Sequence, residues 1–175
     1  GKTRRIVGRC LRGGKWSDTA VLSSGPGEHL RPVLCSAAEG VWLAYQTLRE
    51  GQYDLFLRRW VPSGPGRPMR FSLTDSWELF PRLCGDGGDG LWATWIVTHD
   101  VTNARGFVDH KVEAMASHFD GTRWTPYRGP DRSKPDGYVT HLYDGLLGRS
   151  SYMGFVGWRR RPQIVRESGG DVWLL

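Results

Sequence analysis

The chain has 175 residues, a length that suits one domain able to bury its own core. Lys and Arg number 24 against 18 Asp and Glu, a net charge of +6, and the 3 cysteines are too few and odd in number for a disulfide scaffold. No run approaches the ~18 apolar residues of a membrane-spanning helix, no basic–apolar–small leader opens the sequence, and 24 Gly with 9 Trp against 3 Met argue against a helical bundle.

From the N-terminus, Leu11-Arg12-Gly13-Gly14-Lys15-Trp16-Ser17 reads as two strands around a Gly turn, and Ala20-Val21-Leu22 as a further short strand. Arg31-Pro32-Val33-Leu34-Cys35 then starts a strand at its proline, where a missing N–H is tolerated. A turn at Glu39-Gly40 leads to the alternating strand Val41-Trp42-Leu43-Ala44-Tyr45. Tyr53-Asp54-Leu55-Phe56-Leu57-Arg58-Arg59-Trp60 is the third strand of this unit and Phe71-Ser72-Leu73 the fourth. The pattern recurs: Phe80-Pro81-Arg82-Leu83-Cys84 passes through Asp89-Gly90 to Leu91-Trp92-Ala93-Thr94-Trp95, with a third strand from Lys111 to Phe119. Phe119-Asp120-Gly121-Thr122-Arg123-Trp124-Thr125 matches the turn at 11–17. A last copy runs from Arg161-Pro162-Gln163-Ile164-Val165 through Gly170-Asp171 to Val172-Trp173-Leu174-Leu175.

Pro32 and Pro81 stand about 50 residues apart, the size of a four-stranded β-propeller blade. The expected fold is all-β: a β-propeller fragment with two complete four-stranded blades (30–75 and 79–134) flanked by two half-blades (1–25 and 160–175). Residues 135–159 are expected as an insertion or connection. Rings close with about four to eight blades, so the chain is expected to be part of a larger propeller. Its open strand edges favour the remainder of the propeller, or self-association, as partner.

Val41-Trp42-Leu43-Ala44, Arg49-Glu50-Gly51 and Tyr53-Asp54-Leu55-Phe56-Leu57-Arg58 together resemble the blade repeat of bacterial TolB-type and sialidase-like β-propellers. The resemblance implies that fold and no particular activity. The second unit keeps the Pro and Trp positions and lacks the Tyr-Asp turn.

Several motifs reduce to architecture. Gly85-Asp86-Gly87-Gly88-Asp89-Gly90 spells G-x-G-x-x-G, which cradles a pyrophosphate only between a strand and a helix. Here the repeat aligns it with hairpin turns, so a turn is expected. Cys35 and Cys84 share a position that the third copy fills with Val165, so both are expected as buried thiols. Trp42, Trp92 and Trp173 recur, as do Trp16 and Trp124, which marks them as packing residues. Of the 24 basic residues 20 are Arg, and the one dense run is Arg159-Arg160-Arg161 after Trp158, so nucleic acid is not an expected partner.

In a four-stranded blade, the loops between strands 2 and 3 share one face with the blade connections, and function concentrates on such loops. His99-Asp100 through Asp109-His110 reads as a long loop of this kind, and the segment holding Tyr138, His141 and Asp144 as a long connection. Arg49-Glu50 and Trp77-Glu78 fall on the same face. The candidate binding residues are therefore Arg31, Arg49, Glu50, Trp77, Glu78, His99, Asp100, Asp109, His110, Tyr138, His141 and Asp144. No recognised ligand spacing joins them, so no metal or other cofactor is expected. Trp77 does not recur and offers a ring to a ligand.

The expected function is non-catalytic binding of a protein or glycan through this face. The alternative is part of a sialidase-like glycoside hydrolase or other glycan-processing propeller enzyme. Arg31-Pro32 resembles the Arg-x-Pro lead-in of sialidases, whose guanidinium clamps a substrate carboxylate. Glu50, Glu78, Asp100, Asp109, Asp136 and Asp144 offer carboxylates, of which a pair about 5–10 Å apart would be needed. The sialidase motif S-x-D-x-G-x-x-W is not met, because Asp120 and Gly121 are adjacent in Ser117–Trp124. The resemblance suggests a periplasmic or secreted protein, whereas unpaired cysteines argue for a reducing compartment.

Overall fold

The computed structural model describes residues 3–61, 63–71, 74–102, 104–125, 140–147, 163–170 and 172–174. Every regular element among them is a β-strand, every pairing is antiparallel, and no sheet closes on itself. No helix of the described residues is long and apolar enough to cross a membrane.

β1 (Val7–Gly8), β2 (Leu11–Arg12), β3 (Lys15–Trp16) and β4 (Ala20–Val21) form one interrupted hairpin, with Val7 opposite Val21 and Leu11 opposite Trp16. Its turn is Gly13-Gly14, at φ 53° and 76°; two positive φ values give the twist that a two-residue hairpin loop needs. The first large sheet consists of β5 (Glu28–Ala37), β6 (Gly40–Arg49) and β7 (Gln52–Val61). β8 (Gly64–Pro65) and β9 (Met69–Arg70) divide the outer edge of β7 between them. The second sheet repeats the plan with β10 (Trp77–Gly85), β11 (Leu91–Thr102) and β12 (Val108–Phe119). β13 (Trp124–Thr125) and β14 (Thr140–Leu147) divide the edge of β12. β15 (Ile164–Arg166) and β16 (Val172–Leu174) form a last hairpin.

The sequence repeat is a repeat of pairing register. Cys35 faces Trp42, Cys84 faces Trp92 and Val165 faces Trp173. Likewise Leu11 faces Trp16 and Phe119 faces Trp124.

Strand alternation then stacks the sheets. Leu43 and Tyr45 on one face of β6 pack with Ile6 and Leu22 of the N-terminal hairpin. Trp42 and Ala44 on the other face pack with Leu91, Ala93, Trp95 and Val97 of β11. β15 packs against β10 and β11. The order is hairpin, first sheet, second sheet, hairpin. Burying a side chain such as Leu55, Phe71 or Phe119 in the central layer contributes about 1.5–3 kcal/mol over leaving it exposed.

Several expectations need correction. Pro32 and Pro81 do not start strands: β5 begins at Glu28 and β10 at Trp77, and each proline sits at a register shift inside its strand. The preceding residues, Arg31 and Phe80, have φ of 51° and 58°. A bulge leaves a ladder position unpaired, so it accepts a proline within a strand. His99-Asp100 and Asp109-His110 do not form a loop either; β11 and β12 pair continuously from Leu91–Phe119 to Thr102–Val108, so all four are strand residues. Thr140–Leu147 is not connection but a strand on β12, because β13 leaves most of that edge open. Trp77 and Glu78 likewise belong to a strand. Finally, Cys35 and Cys84 are half-buried and not fully enclosed.

The Gly85–Gly90 segment is the turn between β10 and β11, and it fastens the layers. Trp42 Nε1–H donates to Asp89 O at 2.8 Å, and Arg59 donates to the Asp89 carboxylate at 2.5 Å. Ala38 N–H donates to Gly88 O at 3.0 Å. His118 Nε2 lies 3.0 Å from Asp86 Oδ2, and a Cβ on Gly87 would meet the Arg166 guanidinium at 2.6 Å.

Candidate functional site

One end of both large sheets carries Glu28, Arg49, Glu50 and Trp77. β5 starts there at Glu28, opposite Leu48, and β6 ends there at Arg49. Glu50 and Gly51, at φ 54° and 82°, make the two-residue turn into β7. β10 starts at the same end with Trp77, opposite Thr98, and the β11–β12 hairpin extends beyond it.

The centre of this rim is an aromatic pair from neighbouring sheets. The rings of Tyr53 and Trp77 meet edge to face with centroids 5.6 Å apart and an interplanar angle of 79°. Such contact adds about 0.5–1.5 kcal/mol beyond area burial. Trp77 nevertheless stays 39% exposed.

The residues beside the pair are tied together by polar contacts. Glu78 is fully buried, and its Oε1 accepts from Thr74 N–H at 3.0 Å and Thr74 Oγ1–H at 2.8 Å. Thr74 Oγ1 accepts from Ser76 N–H at 3.2 Å. Arg70 pairs with the buried Asp54 carboxylate at 2.8 Å and donates to Thr74 O at 3.1 Å. Gln52 Nε2–H reaches Asp54 at 3.4 Å. The chain Asp54–Arg70–Thr74–Glu78 thus fixes the connection between the sheets next to Tyr53 and Trp77. Burial of two carboxylates is tolerated because each has hydrogen-bond donors.

The other candidates are distributed as follows. Arg49 and Glu50 are exposed at the rim turn. Asp100 stands opposite His110, His99 opposite Lys111 and Asp109 opposite Val101 on the projecting hairpin, whose tip exposes Phe107 and Val108. Asp144 stands opposite Glu113, and His141 lies opposite Met115, further along the strand from the rim. Tyr138 and Asp136 lie outside the described residues, as do Trp158 and Arg159–Arg161. Arg31 is not at the aromatic pair: its guanidinium carbon lies 4.6 Å from the centroid of the Phe80 ring. Among the described residues no three of His, Cys, Asp and Glu come together in a group able to hold a metal ion.

Tyr53, Asp54, Arg70 and Thr74 are not among the candidates that the sequence singles out. Tyr53 and Asp54 stand out there only as part of the repeat; strand phase alone would put them at the same end as Trp77. Arg70 and Thr74 carry no local signal, since their role depends on the neighbouring sheet. Much of the arginine excess is also explained by contacts. Arg5, Arg9, Arg58, Arg70 and Arg82 all donate to backbone carbonyls, Arg58 to both Gly66 and Leu22.

Comparison of the chain with protein-family models, with curated proteins and with solved structures finds no match.

Proposed function

We propose that this chain is a non-catalytic segment of a β-propeller that binds a glycan at the rim, with Trp77 as the platform. Stacked antiparallel sheets with repeating register support the propeller reading. They fit the resemblance of Val41–Arg58 to TolB-type and sialidase-like blades. The observation that carries the binding reading is the Tyr53–Trp77 pair: a tryptophan steadied edge-on by a tyrosine while over a third of its surface stays open. A rigid, amphipathic ring of this kind loses little entropy when an apolar sugar face stacks on it, while Arg49 and Glu50 at the same rim can meet hydroxyls.

The engagement of Arg31 with Phe80 supports binding over sialidase-type catalysis, because a stacked guanidinium is occupied in holding two sheets. Glu78 similarly acts as an acceptor for the Thr74 turn.

The test is a glycan-array screen followed by titration calorimetry on the strongest ligand. Trp77→Ala is expected to weaken binding at least about tenfold with unchanged circular dichroism. Absence of any glycan ligand, or full affinity in Trp77→Ala, overturns the reading. A protein partner captured through the same rim would replace glycan with protein as ligand class.

A further inference from the structure

We propose that the interior between the N-terminal hairpin and the first sheet is a binding site for one water molecule, held between His29 Nδ1 and Thr47 Oγ1 with the Tyr45 hydroxyl beside them. The site is independent of the rim and of the wider architecture, because its parts all lie within residues 5–47.

The register brings the three side chains together. His29 stands opposite Thr47 across β5 and β6, so both leave the same face of the sheet. Tyr45, two residues back along β6, shares that face by strand alternation. It is the face on which Ile6 and Leu22 of the hairpin pack against Tyr45. The Tyr45 ring meets the His29 ring with centroids 5.3 Å apart. Gly25-Pro26-Gly27 leads the chain from the hairpin into β5 and packs closely on Thr47. A Cβ on Gly27 would lie 2.5 Å from the Leu48 carbonyl oxygen and 3.1 Å from Thr47 Cγ2.

These side chains bury more polar atoms than they satisfy. His29, Tyr45 and Thr47 are 2%, 0% and 4% exposed. Among the described residues, His29 Nδ1, Tyr45 Oη and Thr47 Oγ1 are buried without a hydrogen-bond partner. The Ser24 backbone comes near the Tyr45 hydroxyl without completing a hydrogen bond. Buried polar atoms are nearly always satisfied by protein or by ordered water. A buried water typically makes about three hydrogen bonds, and this face offers three atoms.

The chemistry favours water over an ion. The Arg5 guanidinium beside the ring opposes a cation. An anion calls for a protonated ring, and burial pushes the His29 pKa down. His29 Nε2 lies 3.2 Å from the Arg5 guanidinium and 3.3 Å from Pro26 O, so it can accept from the first or donate to the second. Nδ1 of a neutral ring takes the complementary role. Water can donate or accept, as can the two hydroxyls, so it completes the set with either tautomer.

A high-resolution crystal structure of the full chain tests this. One ordered water is expected within about 3.2 Å of both His29 Nδ1 and Thr47 Oγ1. A direct bond between those two atoms, an ion in that place, or dry side chains overturns the proposal. In solution, oxygen-17 relaxation dispersion counts long-lived internal waters. Thr47→Val keeps the shape and removes the hydroxyl, so it is expected to lower the count by one, and Thr47→Ser to restore it. An unchanged count in folded Thr47→Val overturns the proposal. If Thr47→Val does not fold, the crystal structure of the unaltered chain decides.

Discussion

The Arg31 guanidinium lies over the ring of Phe80, 4.6 Å from its centroid, and the two residues occupy the same repeat position in adjacent sheets. Each precedes a proline and has positive φ, so two bulges stack on one another. Phe80 N–H, displaced from its own ladder, donates to Gln46 Oε1 of the first sheet at 2.9 Å. The bulges join the sheets. Arg31→Ala is expected to cost about 0.5–1 kcal/mol, as an exposed cation–π pair does, and to leave rim binding unaffected. Gln46→Leu should cost about 1–3 kcal/mol, because a buried N–H loses its acceptor. Urea unfolding midpoints separate the two.

Trp42 links the two large sheets at the end opposite the rim. It packs on Phe119 and donates to Asp89 O. Trp42→Ala is expected to lose about 3–5 kcal/mol. Trp42→Phe, which keeps most of the packing and loses the hydrogen bond, should lose less than half of that. Equilibrium denaturation with a tryptophan-independent probe, such as far-ultraviolet circular dichroism, gives both values.

His29 makes stability pH-dependent. Burial lowers its pKa below the ordinary 6.5; the carbonyl of Pro26 opposes the shift, and Arg5 adds to it. Nε2 lies 3.2 Å from the Arg5 guanidinium and 3.3 Å from Pro26 O. The unfolded chain takes up this proton near 6.5 and the folded chain only at lower pH. The contribution is complete above pH 6.5, declines as pH falls through the window below it, and levels off once the folded ring protonates. His29→Gln is expected to flatten the unfolding midpoint between about pH 7.5 and 5 relative to the unaltered chain.

The cysteines should differ in reactivity. Cys10 is exposed. The Cys35 thiol is pushed up to about 12, first by burial and then by Cys84 and Asp86 nearby. The thiolate is the nucleophile, so iodoacetamide at about pH 8 is expected to modify Cys10 before Cys35 in the folded protein. In urea the two rates should converge. Peptide mass mapping over time reads the order.

The rim shows where sequence reasoning reaches and where it stops. Strand phase places Arg49, Glu50, Trp77 and Glu78 at one end, and the structure puts all four there. It does not foresee that Tyr53 meets Trp77, since the two lie in different sheets. The segments on either side of the β11–β12 tip look like loop because their charges, His99, Asp100, Asp109 and His110, mask the alternation of an extended hairpin.

By itself the sequence determined the repeat, the central part of most strands and the Gly turns between them. The segments Leu11–Ser17 and Phe119–Thr125 align from the residues alone, because alternation and turn chemistry are local. The stacking was decided only by tertiary structure. A bulge places Arg31 on Phe80, an indole N–H from β6 finds the Asp89 carbonyl, and Tyr53 props Trp77. These contacts join residues 24 to 49 positions apart through faces of different sheets, and they form only when the burial of whole faces brings those sheets together. The charge of +6 followed the same division: its size was plain in the composition, while the carbonyls of Gly27 and Leu22 that Arg5 and Arg58 serve came into view only with the tertiary structure.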